Sequence, residues 1–205
     1  GFAPVFADSG KGATVKVDGS ILAWLQEKIN DITRDGESFQ PLLFSGNEIR
    51  SILNLFQDSP YDSYAYLNAQ ADEAWVKQQV GKFKYVHLAT HSFVNHDRPE
   101  LSGIAFHHSG DDDDAQDGIL YADEIYNLEL NADLVVLSSC ESGIGKLVKG
   151  EGLMAMTRGF LYTGVPNIVV SLWKVSDRHT RDLMVAFYER VVAGDDYAVA
   201  LRTAK

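Results

Sequence analysis

The sequence predicts an α/β fold with a mostly parallel sheet that is covered by helices on both faces. From about residue 83 onwards, short apolar runs of strand length alternate with segments of helical periodicity. The runs are apolar at consecutive positions, which is typical of strands buried on both faces of a parallel sheet. Neither an internal repeat nor a linker interrupts the 205 residues, so we expect a single domain over residues 1–205.

The N-terminal part is predicted to contain three amphipathic helices and little sheet. Apolar residues recur at helical spacing in each helix, as Ile21, Leu25 and Ile29 do in the first. Asn47 is the expected N-cap of the second helix. The predicted elements are an edge segment at Pro4–Phe6, helices over 20–30, from Asn47 to about Phe56 and over about 69–80, and loops at Asp31–Gln40 and Ser59–Asn68.

The rest of the chain carries the main strands and the helices that connect them. Strands are predicted at Phe83–Ala89, Ser102–Phe106, Asp133–Ser139 and Asn167–Leu172. Helices are predicted at Ala122–Leu128, which Ile119–Tyr121 precedes, at 151–162, at Asp177–Val192 and from about Asp195 to Lys205. The aspartates Asp111–Asp114 repel one another, so we interpret Ser109–Asp117 as a solvated loop rather than a site of self-cleavage.

Composition excludes several classes of partner and site. Asp and Glu outnumber Lys and Arg by 29 to 18, with a net charge of −11, so nucleic acid and anionic membrane are poor partners, whereas a basic peptide suits the charge. The single cysteine allows neither an intrachain disulfide nor a zinc site with several thiolates. No apolar run reaches the length of a membrane span, of about 20 residues. We therefore expect a cytoplasmic protein; because the sequence starts at Gly1 and stops inside a predicted helix, we also expect a fragment.

Two predicted strands end in residues that suit nucleophilic catalysis. The run from Tyr85 ends in His91, and the run from Leu134 ends in Cys140. Neighbouring parallel strands bring their carboxyl ends to one edge of the sheet, where sites of α/β proteins form. A lone Cys with a His about 50 residues upstream is an arrangement found in cysteine peptidases. The thiolate would be the nucleophile, and the imidazole would give a proton to the leaving amine.

Structural roles are the alternatives for these residues. A single buried Cys is usually a small apolar core residue, and a His at a strand end can be one as well. His87 shares the face of His91 in the strand, so we expect it in the core or in support of the site. A zinc site from His96, His107 and His108 with the aspartate run has no known spacing, and the glycines around Gly143 match no nucleotide-binding motif. We expect neither a metal nor a cofactor.

At these residues the sequence resembles the CHAT family, a branch of the caspase-like peptidases that is often fused to tetratricopeptide repeats and is distantly similar to separases and caspases. The similarity extends from about residue 41 to 205 and is strongest in four segments, His87–His91, Leu137–Gly143, Gly150–Gly152 and Ser171–Asp177. The resemblance implies a caspase-like three-layer sandwich. The family domain normally has a further strand after the last helix and repeats upstream, and this sequence contains neither.

The resemblance also implies roles for individual residues. His91 and Cys140 would form the catalytic dyad, and the backbone N–H groups of Cys140 and Ser92 would bind the oxyanion. Ser92 stands where the family usually has Gly, which adds bulk and restricts φ. Trp173 and Asp177 belong to a loop that would line the substrate pocket, and Asp177 would select a basic residue before the cut. The alternatives are core packing for Trp173 and an N-cap for Asp177.

These observations predict a cysteine endopeptidase that cuts a protein or peptide substrate. The resemblance adds a setting in bacterial signalling or defence and an activating protein that acts through a repeat region. Two alternatives stay open: an inactive domain that serves as an interaction or scaffold module, and a cysteine-dependent hydrolase or transferase of small molecules.

Overall fold

The structure, a computed structural model, describes residues 2–3, 7–8, 16–17, 23–24, 26–28, 42–60, 62–95, 97–107, 116–138, 151–172 and 175–205. Within these ranges the strands are β1 (Phe2–Ala3), β2 (Ala7–Asp8), β3 (Lys16–Val17), β4 (Tyr66–Leu67), β5 (Tyr85–Leu88), β6 (Ser92–Phe93), β7 (Gly103–Ala105), β8 (Ile119–Tyr121), β9 (Leu134–Leu137) and β10 (Ile168–Val170). The helices are α1 (Ser45–Leu55), α2 (Glu73–Gln79), α3 (Ala122–Ile125), α4 (Glu151–Tyr162), α5 (Asp177–Val192) and α6 (Tyr197–Ala204). Residues 23–24 and 26–28 are also helical, inside the helix predicted over 20–30.

A parallel sheet with the strand order β10-β9-β5-β1-β4 forms the centre of the fold. All of its described pairings are parallel, which confirms the predicted parallel sheet. The order reverses between β1 and β5, because the chain goes from β1 to one edge and from β5 towards the other. In open α/β sheets such a switch point, at the carboxyl ends of the strands, is where ligands bind.

Helices flank the sheet on both faces. Successive residues of a strand point to opposite faces, so an apolar strand packs against helices on either side. In β9, Val135 and Leu137 pack in one apolar cluster with residues of α2, α3 and α4, including Met156 and Phe160. Leu134 and Val136 pack in a second cluster with α1, α5 and α6. The consecutive apolar residues of β9 are therefore explained by burial on both faces, as the sequence predicted.

The strand predicted at Ser102–Phe106 belongs to a separate antiparallel sheet with the order β6-β7-β8. The segment that joins β6 to β7 contains the 3₁₀ turn Pro99–Leu101 and spans only residues 94–102. A parallel pair needs a crossover of a dozen or more residues. The connection is too short for one, so the chain turns back on itself.

Element boundaries differ from the prediction where tertiary contacts decide them. Helix α1 begins at Ser45, before the expected cap Asn47, because the Phe44 N–H at its N-terminus donates to the carboxylate of Asp177 at 2.8 Å. The strand β4 lies in a predicted loop, and the predicted helix over 69–80 is divided into 3₁₀ turns around α2. The predicted edge segment Pro4–Phe6 lies outside the described residues. None of the helices that the structure describes is both long enough and apolar enough to cross a membrane.

Candidate active site

The pairing register of β5 and β9 has the same offset along the chain as the two predicted catalytic residues. The strands pair in parallel from Tyr85 opposite Leu134 to Leu88 opposite Leu137, an offset of 49 positions along the chain. His91 and Cys140 are also 49 positions apart, and each follows the last paired residue of its strand by three residues. Cys140 itself lies outside the described residues. The two strands therefore end at the same edge of the sheet.

His91 is held in a buried, firmly bonded segment. Its carbonyl accepts a hydrogen bond from the Ala105 N–H at 2.9 Å, and the adjacent Thr90 hydroxyl donates to the Ala105 carbonyl at 2.5 Å. The side chain of His91 is only 2% exposed. Burial lowers the pKa of His91 to about 3, because the charged imidazolium loses its hydration. At neutral pH the imidazole is therefore neutral.

Ser92, the predicted second oxyanion donor, is the first residue of β6. The His91 carbonyl and the Ser92 N–H belong to one trans peptide, so they point in opposite directions. Because the carbonyl points to Ala105 in β7, the Ser92 N–H points away from β7. Ser92 lies in extended strand backbone, and Asn68 is the non-glycine residue that the described part has with positive φ. A side chain at position 92 therefore causes no backbone strain.

His87 forms a buried hydrogen-bonded group with two residues from helices. Its Nε2 lies 2.7 Å from a carboxylate oxygen of Glu48 in α1, and its Nδ1 lies 3.2 Å from the hydroxyl of Tyr188 in α5. All three residues are buried, which agrees with the expected core role of His87. Neither Glu48 nor Tyr188 was predicted from the sequence. The available signal was the position of Glu48 beside Ile49 on the apolar face of α1, where a carboxylate needs a buried partner.

Asp177 is the first residue of α5, and Ser176 occupies the N-cap position. The alternative that Asp177 is the N-cap is therefore wrong. Its carboxylate accepts instead from the Phe44 N–H at the start of α1. Burial raises the pKa of Asp177, and the nearby charge of Glu48 raises it further. A cation beside Asp177 would relieve this repulsion.

Some of the other predicted site residues lie outside the described residues. Trp173 and the glycines from Gly143 to Gly150 lie, like Cys140, outside the described residues. The described ranges contain no group of three or more His, Cys, Asp or Glu side chains that could hold a metal ion. The described part of the predicted site is thus His91, Ser92 and Asp177, with His87 behind them in the core.

Comparison with known proteins gives the family of the chain. A similar protein is the mouse tetratricopeptide repeat protein 28, which is 37% identical over 76 residues, covering 37% of this chain and 3% of the mouse protein. The human tetratricopeptide repeat protein 28 is 34% identical over 101 residues, covering 43% of this chain and 4% of the human protein. This chain therefore spans only a small part of the length of these curated relatives. The profile of the CHAT domain matches residues 15–205, and the chain belongs to the CHAT-domain family, a caspase-like family.

Proposed function

We propose that the chain is a cysteine endopeptidase domain in which Cys140 is the nucleophile and His91 its proton partner. The common offset of 49 positions, which relates both Leu88 to Leu137 and His91 to Cys140, is the observation that carries the proposal. Membership of the caspase-like CHAT family supports it. We also propose that residues 1–205 form a single caspase-like three-layer sandwich, in accord with the parallel sheet and its flanking helices.

The proposed reaction begins with the neutral imidazole of His91. It accepts the thiol proton of Cys140 as the sulfur forms a bond to the scissile carbonyl carbon. The carbonyl oxygen becomes an oxyanion, which the backbone N–H groups of Cys140 and Ser92 bind. The His91 imidazolium then gives its proton to the amide nitrogen as the C–N bond breaks, and the amine leaves. Water hydrolyses the thioester, releases the acid and restores the thiol.

We further propose that Asp177 selects a basic residue of the substrate. Its carboxylate lies close enough to Glu48 for the two charges to repel each other. A Lys or Arg side chain of a substrate would offset this repulsion and form a charge-assisted hydrogen bond. The excess of acidic residues, with a net charge of −11, would also attract a basic peptide.

The experiment is cleavage of a peptide library, read by mass spectrometry, with the wild type, Cys140→Ala and His91→Ala. We expect cuts by the wild type only, after basic residues. His107→Ala, a substitution of another histidine, is the matched control and should cut like the wild type. Cutting by Cys140→Ala would contradict the proposal. If no protein cuts, the assay is repeated with the full-length protein and candidate activating proteins, and continued absence of cutting would favour the scaffold alternative.

A further inference from the structure

A cavity of about 220 Å³ opens at the carboxyl ends of β9 and β10, beside α5 and α6. Most of its lining is apolar, and its main apolar side chains are Leu137, Val169, Leu172, Leu183, Met184 and Leu201. An apolar cavity of about 150 Å³ in a protein is large enough to bind benzene. The space therefore suits an aliphatic or aromatic side chain of a bound peptide.

One polar group in the lining lacks a described hydrogen-bond partner. The hydroxyl of Ser138 is buried, with the residue only 8% exposed, and has no hydrogen-bond partner among the described residues. Buried hydroxyl groups in proteins nearly always have a partner, because an unmade hydrogen bond costs free energy. A carbonyl or N–H group of a peptide that enters the cavity would supply that partner.

The charges around the cavity do not favour a basic side chain. The described lining residues include His179 and Lys205 but neither Asp nor Glu. A Lys or Arg side chain would lose hydration there without meeting an opposite charge. Asp177 is not part of the lining, and its carboxylate bonds the Phe44 N–H. The cavity is therefore chemically different from the position at which Asp177 is proposed to act.

One lining residue of the cavity is close in sequence to the proposed nucleophile. Ser138 precedes Cys140 by two residues, a distance of at most about 7 Å along an extended chain. We propose that the cavity is a second substrate subsite of the peptidase, which binds an apolar side chain while the Ser138 hydroxyl bonds the peptide backbone. This inference rests on the proposed function and adds an apolar residue, at another position of the same substrate, to the basic residue selected by Asp177.

The test measures peptide binding to the Cys140→Ala chain, so that no probe is cut. The probes are fluorescein-labelled heptapeptide pools in which one position is fixed as Leu, Phe, Arg or Asp, and fluorescence polarisation gives each Kd. At one position we expect the Leu and Phe pools to bind about tenfold more tightly than the Arg and Asp pools. Leu183→Trp, which fills the cavity, should remove this advantage. Leu161→Trp, the same substitution at an exposed position of α4, should preserve it.

A second variant tests the cavity without requiring the fold to accommodate a larger side chain. Ser138→Ala should leave the urea midpoint unchanged or raise it, because the hydroxyl has no described partner to lose. It should also weaken binding of the Leu and Phe pools several-fold. Ser59→Ala removes a hydroxyl that donates to the Phe56 carbonyl at 2.7 Å, so it should lower the midpoint and leave binding unchanged.

Equal binding of apolar and charged pools at every position would overturn the subsite, as would an advantage that survives Leu183→Trp in a folded chain. Parallel cleavage of the same pools by the wild type separates this failure from failure of the peptidase. Cutting without a preference for Leu or Phe would overturn the subsite and leave the peptidase intact. An apolar preference in binding without cutting would support a peptide-binding cavity and count against the peptidase.

Discussion

Leu88 and Leu137 lie opposite each other at the ends of two neighbouring parallel strands, and the proposed site rests on this pairing. The next three residues lead to His91 from one strand and to Cys140 from the other. The spacing of His91 and Cys140 in the sequence thus equals the offset at which β5 and β9 pair in the sheet. Because β5 also borders the point at which the strand order reverses, this edge is where an α/β protein is expected to bind its substrate.

Two substitutions at Asp177 separate its structural contact from its proposed role in specificity. Asp177→Asn keeps an oxygen that can accept from the Phe44 N–H but removes the charge. Asp177→Ala removes both, and should lower the free energy of unfolding by about 1 kcal/mol. Since the pKa of Asp177 is raised, its charge is unfavourable in the fold, and the Asn variant should be no less stable than the wild type at pH 7.

Urea denaturation gives the stabilities of these variants, and library cleavage gives their preference for Arg and Lys. Both variants should lose that preference. A preference that is intact in either variant would exclude Asp177 as the specificity residue.

The buried imidazole of His91 should make stability fall on acidification. Its folded pKa of about 3 is below the ordinary value of 6.5, so between these values the unfolded chain binds the extra proton. Stability from this group is therefore complete above about pH 6.5 and decreases towards pH 3, by up to about 1.4 kcal/mol per pH unit.

Urea denaturation of the wild type and His91→Gln between pH 4 and 7 measures this contribution. The difference between their free energies of unfolding should change with pH in the stated direction, since other titrating groups are common to both proteins. Parallel curves would mean that His91 is exposed to solvent in solution.

The hydrogen-bonded group of Glu48, His87 and Tyr188 should respond unequally to the loss of its members. Tyr188→Phe removes one hydroxyl and should cost about 1 kcal/mol of stability. Glu48→Ala leaves the buried Nε2 of His87 without its carboxylate and should cost about 1–3 kcal/mol. Chemical denaturation at pH 7 checks both values. Asn54→Ala, at an exposed position of the same helix, is the control, and equal effects of Asn54→Ala and Glu48→Ala would contradict the buried contact.

The side chain of Ser92 should be dispensable for catalysis, because its backbone N–H is the group that would bind the oxyanion. Ser92→Ala and Ser92→Gly should each retain kcat within about threefold, which is less than 1 kcal/mol in the barrier. Steady-state kinetics on the best library peptide gives kcat and KM separately. A hundredfold loss in kcat for both variants would assign the function to the hydroxyl instead.

The sequence predicts the buried parallel strands well, because β9 and β10 consist of consecutive apolar residues and β5 departs from this pattern only at Tyr85 and His87. The two-residue strands β4 and β6 were not predicted, since a strand of that length is defined by its partner rather than by its own pattern. The start of α1 was also misplaced. The group that binds its Phe44 N–H comes from Asp177, which is 133 residues away in the sequence.

In the candidate site, too, features with a local sequence pattern were predicted and contacts between distant residues were not. His91 is recognisable because it ends an apolar strand, and its partner in the sequence is the single cysteine. The contacts of His87 come from residues 39 and 101 positions away, which a local pattern does not relate. The cavity beside Ser138 is formed by two strands and two helices, so only the folded chain reveals it.

The most direct test of the central claim is the rate at which Cys140 reacts with iodoacetamide as a function of pH, in the wild type and in His91→Ala. The chain has one cysteine, so every labelled protein reports on this thiol. If the neutral His91 imidazole accepts the thiol proton as the sulfur attacks, the wild type should react at pH 6.5 at least about tenfold faster than the variant, whose rate should follow the ionisation of an ordinary thiol near pH 8.5. Equal rates in the two proteins at every pH would contradict the proposed dyad.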